Sequence, residues 1–497
     1  MENKIYQNIW FKIIIVSIIT VLTILYLFQT FPAQEQLNKA SLKDFTSHLN
    51  MRIPLMMQEY KIPGVNVAII KDGKLAWSKS YGYADLSQNE KMQIGNYCRV
   101  ESISKSVTAW GVMNLVQEGK LDLDQPVQNY IKSWKIPDST YFEDKVTPRL
   151  LLSNTAGMPL GTIGVRYSPQ GEKPTLKERL TKDAVLRQTP GKGFYYSNTG
   201  FNILELLIEE VSGKSFAEYM EEEILMPLHM TNSTFQWSED INNKIPNGYD
   251  SKGEEIPVYV YPDKASGGLF ATVEDIARFV KAGMPQFTEN ISVLNEDYIN
   301  QIYNPVVEIN GYYGLIYDYY GYGHFIEELS NGNFAITHGG QGSGWMTHFQ
   351  AVPKSGDGMV ILSNSQRSWP FIGYVLRDWA DWRNLGSLGI EMIPLATKYI
   401  WMTVGIILFA FLLQGWRLGE DYYLNKRNLH PSGRHYRYIR IIELIMSLTI
   451  FGLLIWEISK AYSFLASVFP VAYPWLGIIL FLEAFVLLLS SVSPKNI

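Results

Sequence analysis

The sequence predicts an α+β fold, an antiparallel sheet flanked by helices, with apolar helices at both ends of the chain. Three observations predict it: β-branched runs at both ends of a polar middle region, helical spacing between those runs, and long uncharged stretches outside them. Val65 to Ile70 and Leu75 to Gly82 flank Asp72-Gly73, a strong hairpin signal, so the middle region opens with two antiparallel strands. Ser102 then opens a helical pattern, with Val107, Trp110, Met113 and Val116 spaced by three before Gly119. A second amphipathic helix is expected from about Phe201 to Val211, stopping at Gly213. Phe334 to Thr337, His348 to Val352 and Met359 to Leu362 read as strands separated by Gly, Ser and Asp. One sheet completed by both ends of the domain follows from that order.

The 497-residue chain is too long for one ordinary core, and its ends differ from its middle. Ile13 to Phe28 is an unbroken run of apolar and small hydroxyl residues behind Lys4 and Lys12, either a signal-peptide core or a short anchor. Phe31 is large where cleavage near Ala33 would want a small residue, which favours an uncleaved anchor. Tyr399 to Trp416 carries no charge, Ile441 to Leu465 only Glu443, Glu457 and Lys460, and Val471 to Val492 only Glu483. These read as three more spans. The loop with Arg417, Lys426, Arg427, Arg434, Arg437 and Arg440 is basic, whereas Ser463 to Pro474 is uncharged. Positive-inside then places the N-terminus, the basic loop and the tail with Lys495 in the cytoplasm and the middle domain outside. The expected domains are an anchor or signal at 1–33, an extracellular catalytic domain at 34–390 and a membrane region at 396–497, joined through Asn384 to Pro394. Glu483, near the middle of its span, is expected to serve helix packing.

Net charge is −5, and the basic loop leaves the rest more acidic still, which argues against a nucleic-acid partner. Cys98 is the only cysteine, so no intrachain disulfide exists and a buried core thiol is expected. Seven histidines scattered singly, without H-E-x-x-H, give no support to a metal, and no cofactor is expected. Absence of G-x-S-x-G weighs against an α/β-hydrolase.

Three short strings carry chemistry: Ser102-Ile103-Ser104-Lys105, Tyr196-Ser197-Asn198 and His338-Gly339-Gly340. Residues three apart share a helix face, so the Ser102 hydroxyl and the Lys105 amine can approach each other. The helix N-terminus favours negative charge at Ser102, and a desolvated lysine becomes a usable base. About one S-x-x-K arises by chance in such a chain, and Tyr6, Tyr298 and Tyr423 also have Asn two positions on. What distinguishes Tyr196 is its turn-rich setting from Pro190 to Gly200, directly before a helix. His338 is expected to follow a strand, with the glycines after it letting main-chain N–H groups approach a substrate.

Order, spacing and surrounding words together resemble the serine β-lactamase and penicillin-binding family, in its class C β-lactamase-like branch of D,D-carboxypeptidases, D-aminopeptidases and esterases. The likeness covers roughly residues 55 to 365 and includes Ile62-Pro63-Gly64, Lys71-Asp72-Gly73-Lys74, Glu118-Gly119-Lys120-Leu121-Asp122-Leu123-Asp124, Leu151-Leu152-Ser153-Asn154-Thr155-Ala156-Gly157 and Gly267-Gly268-Leu269-Phe270-Ala271-Thr272. The resemblance implies a helical subdomain beside the sheet. It implies Ser102 as the acylated nucleophile, Lys105 as its proton acceptor and Tyr196 as the proton relay. Asn198 would orient lysine and substrate, His338 and Gly340 would line the substrate strand, and the N–H groups of Ser102 and Gln341 would form the oxyanion hole. Two positions depart from the pattern. Gly339 replaces a hydroxyl residue that helps hold a carboxylate, which favours ester or D-amino-acid amide chemistry, and Asn154 stands where histidine is frequent. The expected function is a membrane-anchored serine hydrolase acting on a small-molecule or peptide substrate of the cell envelope, with membrane lipid as the other partner. The rival readings are a sensor acylated at Ser102 without turnover and an inactive envelope scaffold.

Overall fold

The computed structural model describes residues 2–27, 37–287, 293–428, 437–459 and 464–494. The chain divides into two compact units, Ala33–Met392 and a second made of Met1–Pro32 with Ile393–Ile497.

In the first unit the described residues form a nine-stranded antiparallel sheet. Its strands are β1 (Gly64–Lys71), β2 (Lys74–Asp85), β3 (Glu90–Lys91), β4 (Val307–Glu308), β5 (Tyr319–Tyr320), β6 (Phe325–Glu328), β7 (Phe334–Gly342), β8 (Trp345–Val352) and β9 (Asp357–Ser363), in the order β3-β2-β1-β9-β8-β7-β6-β5-β4. The first and last long strands pair at the centre, Val67 opposite Ile361, so both ends of the domain complete one sheet. The β1–β2 turn has Asp72 and Gly73 at φ 51° and 70°, the positive angles that a tight hairpin requires.

Alternation along β1 and β9 divides the core. Ala68, Ile70, Val360 and Leu362 join the cluster that holds α2 (Ile103–Gln117), α3 (Asn198–Ser212) and α4 (Val273–Ala282). The alternate residues Val67, Ile69, Met359 and Ile361 are buried on the other face. There α1 (Leu42–Tyr60) packs with α5 (Trp369–Arg383), Phe45 stacked on Trp382 at 4.2 Å. Short helices around α3, including Pro148–Leu152 and Phe216–Met220, make the helical subdomain. The spacing predicts an amphipathic α2, but the helix is buried nearly all round. Trp110 lies edge-on to Phe279 on one side and Tyr219 O–H donates to the Gly111 carbonyl on another, so α2 is the central helix. Cys98 is fully buried and burial pushes its thiol up to about 12.

In the second unit, helices Met392–Tyr423, Tyr438–Ile458 and Ala472–Val492 are long and apolar enough to cross a membrane, and the apolar part of the N-terminal helix Glu2–Leu27, Trp10–Thr23, is shorter. Glu483 Oε1 accepts from Gln414 Nε2 at 2.8 Å, joining two of these helices. Phe28 to Ala33, Arg434, Lys460, Ser463 and Lys495 lie outside the described residues.

Candidate active site

Ser102 caps α2, one residue after Glu101, whose φ of 52° is a left-handed angle unusual for a non-glycine. Lys105 Nζ lies 2.9 Å from Ser102 Oγ and donates to the Ser266 carbonyl at 2.7 Å. The lysine is fully buried, and desolvation lowers its pKa from 10.5 to about 7 against the pull of Glu101 and Asp263. A neutral amine keeps one N–H on Ser266 and leaves its lone pair for the Ser102 proton. The N–H groups of Ile103, Ser104 and Lys105 turn back onto Val100, Glu101 and Ser102, whereas the Ser102 N–H has no main-chain partner among the described residues.

Tyr196 places its ring 5.0 Å from Lys105 Nζ. It packs in a cluster with Tyr313 at 5.4 Å and Phe325 at 6.0 Å, and its ring lies 6.2 Å from that of His338. Asn198 opens α3, half-buried, its N–H donating to Leu160. His338 lies inside β7 and not after a strand, because the strand runs on through the glycines to Gly342. Its Nδ1 is 2.7 Å from the Gly339 carbonyl, an acceptor only, so Nδ1 carries the hydrogen and Nε2 faces the Tyr320 hydroxyl at 3.5 Å. Burial first, then Lys105, holds its pKa well below the usual histidine range, so His338 is neutral.

The glycines of β7 are fixed by close neighbours. A Cβ on Gly340 would sit 2.1 Å from the Val100 carbonyl oxygen, and one on Gly342 2.2 Å from Glu101 Oε1. Gly339 faces Trp369, whose ring would lie 2.6 Å from a Cβ, so a threonine cannot stand there while Trp369 holds its place. Trp369 Nε1 in turn donates to Gln341 Oε1 at 3.0 Å. Strand β6 begins at Phe325, opposite Thr337, which leaves 338–342 paired only with β8 among the described residues.

Three residues outside the motifs hold this arrangement. Asn154 accepts from the Tyr195 N–H through its carbonyl at 2.7 Å and from the Ser197 N–H through its side chain at 3.1 Å, clamping Tyr196 from both sides. Its φ of 55° suits asparagine, and its departure from the family pattern was its only signal. Glu205, an acid inside an apolar helical run, accepts from the N–H groups of Lys264 and Ala265, fixing the turn that presents the Ser266 carbonyl. Burial raises its pKa to about 8. Glu101 is paired with buried Arg99 at 2.9 Å and accepts from the hydroxyls of Tyr259 and Tyr261. Asn154→Ala is expected to lower kcat at least tenfold with little change in KM, since it frees the Tyr196 segment and leaves a buried N–H unpaired at about 1–3 kcal/mol. Steady-state kinetics beside a melting curve checks this.

A sequence profile of the beta-lactamase family matches residues 50–373, more than half of the chain. The chain belongs to that family. Protein flp of Staphylococcus aureus (strain MRSA252) is 26% identical to this beta-lactamase-family chain over 315 residues, which cover 62% of the chain and 60% of that protein. The human mitochondrial serine beta-lactamase-like protein LACTB is 27% identical over 296 residues, 45% of the chain and 54% of LACTB. The chain thus spans about three fifths of the length of the first of these relatives. Among solved structures, the octameric penicillin-binding protein homologue from Pyrococcus abyssi is 29% identical with a TM-score of 0.56, over 67% of this chain and 77% of that one. A D-amino acid amidase from Ochrobactrum anthropi SV3 shares the fold at 19% identity and a TM-score of 0.54, over 65% of this chain and 92% of that one.

Proposed function

We propose that the chain is a membrane-anchored serine hydrolase that forms an acyl-enzyme at Ser102 and hydrolyses a D-amino-acid amide or ester of the cell envelope. The observation that carries this reading is the 2.9 Å approach to Ser102 of a buried Lys105 whose pKa desolvation lowers to about 7, with Tyr196 beside it. Lys105 takes the Ser102 proton as Oγ attacks the substrate carbonyl carbon, and the N–H groups of Ser102 and Gln341 receive the oxyanion. Tyr196 returns a proton to the leaving nitrogen or oxygen, and a water activated at the same phenol then releases the acyl group. Asn198 orients lysine and substrate, and the edge of β7 from His338 through Gly340 to Gln341 lines the substrate chain.

Neutral His338 and hydroxyl-free Gly339, with Trp369 over it, offer a substrate carboxylate neither a cation nor a hydroxyl at these positions. That supports amide or ester substrates over those recognised by a terminal carboxylate, and the similar fold of a D-amino acid amidase is in keeping with it. The basic loop after Trp416 supports a topology with the catalytic unit outside the cell.

The test labels intact cells with a fluorescent penicillin and, separately, with a fluorophosphonate, and follows release of D-amino acid from model amides and esters. Fluorophosphonate labelling with release from these substrates supports the proposal. A stable penicillin adduct with no turnover of any substrate would overturn it in favour of a sensor.

A further inference from the structure

Residues 309–318, the loop from β4 to β5, build the active-site wall on one side and expose apolar side chains on the other. Tyr313 stacks on Phe325 as well as on Tyr196, while Tyr312 and Leu315 are 66% and 67% exposed. The loop is closed by main-chain hydrogen bonds, Ile309 N–H to the Asp318 carbonyl and Tyr317 N–H to the Tyr313 carbonyl, both 2.9 Å, so the exposed pair is held in place.

Chain continuity gives this tip a setting. Gly389 N–H donates to Glu327 Oε2 at 2.8 Å, and a Cβ on Gly389 would stand 1.8 Å from the Ile316 carbonyl oxygen. The turn Gly389–Glu391 is therefore seated on the end of the loop, and the helix Met392–Tyr423 begins at the next residue. The uncharged run starts at Tyr399. At 1.5 Å per residue, that is about 15 Å of helix beyond Gly389, on the scale of a headgroup layer and the side chains that reach into it. Single exposed apolar side chains are common on soluble surfaces. Here a tyrosine and a leucine project from one fixed loop whose end seats the turn Gly389–Glu391, the last residues before a candidate membrane helix in the chain, and aromatic residues gather at membrane interfaces.

We propose that the Tyr312–Ile316 loop rests on the lipid headgroup layer and addresses the Ser102 cleft to amide or ester groups carried at that surface. This rests on the membrane reading above. Labelling can be selective, because the one native thiol, Cys98, is fully buried. The full chain is prepared as Leu315→Cys, as Gln88→Cys and as Tyr438→Cys, each carrying a nitrobenzoxadiazole label. Gln88 lies in the turn before β3, at the opposite edge of the sheet, about 38 Å of strand spacings from β4. Tyr438, 83% exposed, stands at the start of a membrane helix. Each protein is reconstituted in phosphatidylcholine vesicles with and without lipid bearing a nitroxide on its headgroup. Quenching at position 315 about threefold or more above that at 88, and comparable with 438, is expected. Equal quenching at 315 and 88 with strong quenching at 438 overturns the loop proposal and leaves the membrane reading standing. No quenching at 438 overturns both.

Discussion

Lys105→Met is expected to lower kcat on the order of 10³- to 10⁴-fold, since it removes the group that accepts the Ser102 proton while filling the same volume. In the wild type the sign of the pH effect follows from the amine. Its pKa is lowered to about 7, so below that pH the lysine holds a proton and cannot accept another, and kcat/KM should rise through about pH 7. The variant should lose that limb. Stability also rises with pH, over a higher range. The unfolded lysine stays protonated up to about pH 10, so between pH 7 and 10 the unfolded state binds the extra proton and the wild type gains stability as pH rises. Methionine carries no such cost, so the variant should melt above the wild type at pH 7, with the gap closing toward pH 10. A lower melting temperature at pH 7 would mean that the amine is charged and well paired in its pocket.

Tyr196→Phe is expected to cost about 10²- to 10³-fold in kcat by removing the phenol that returns a proton to the leaving group and activates water. The ring that stacks on Tyr313 and Phe325 stays, so the melting temperature should hold within a few degrees. With an ester whose leaving group needs no protonation, acylation should suffer less than deacylation, and an acyl-enzyme should build up in stopped-flow traces. An unchanged rate would remove Tyr196 from the proton path.

Much of the fold is legible because its signals are local: Asp72-Gly73 sets a hairpin, Gly213 ends a helix, and short apolar or β-branched runs set off by Gly, Ser and Asp mark β8 and β9. The extent of β7 is not legible, because glycine has no strand preference of its own; pairing with β8 carries the strand through Gly339, Gly340 and Gly342, and Trp369, Val100 and Glu101 leave no room there for a Cβ. The burial of α2 escapes its apolar spacing because the polar side chains of Ser104, Ser106 and Thr108 are buried too, bonded to Leu269, Gly323 and Ala265. Within the site, the motif strings come together in space. Their supports do not announce themselves: Asn154 acts through main-chain contacts with residues some forty positions away, and Glu205 through a turn that only the tertiary fold brings to Lys105.

The most direct measurement is the intact mass of the full chain after a fluorophosphonate, followed by peptide mapping, on wild type and Ser102→Ala. One adduct per chain, on the peptide that holds Ser102, formed faster as pH rises through about 7 and absent from the variant, is the predicted result. An adduct of equal yield on Ser102→Ala, or one mapped to another segment, would contradict the assignment of Ser102 as nucleophile.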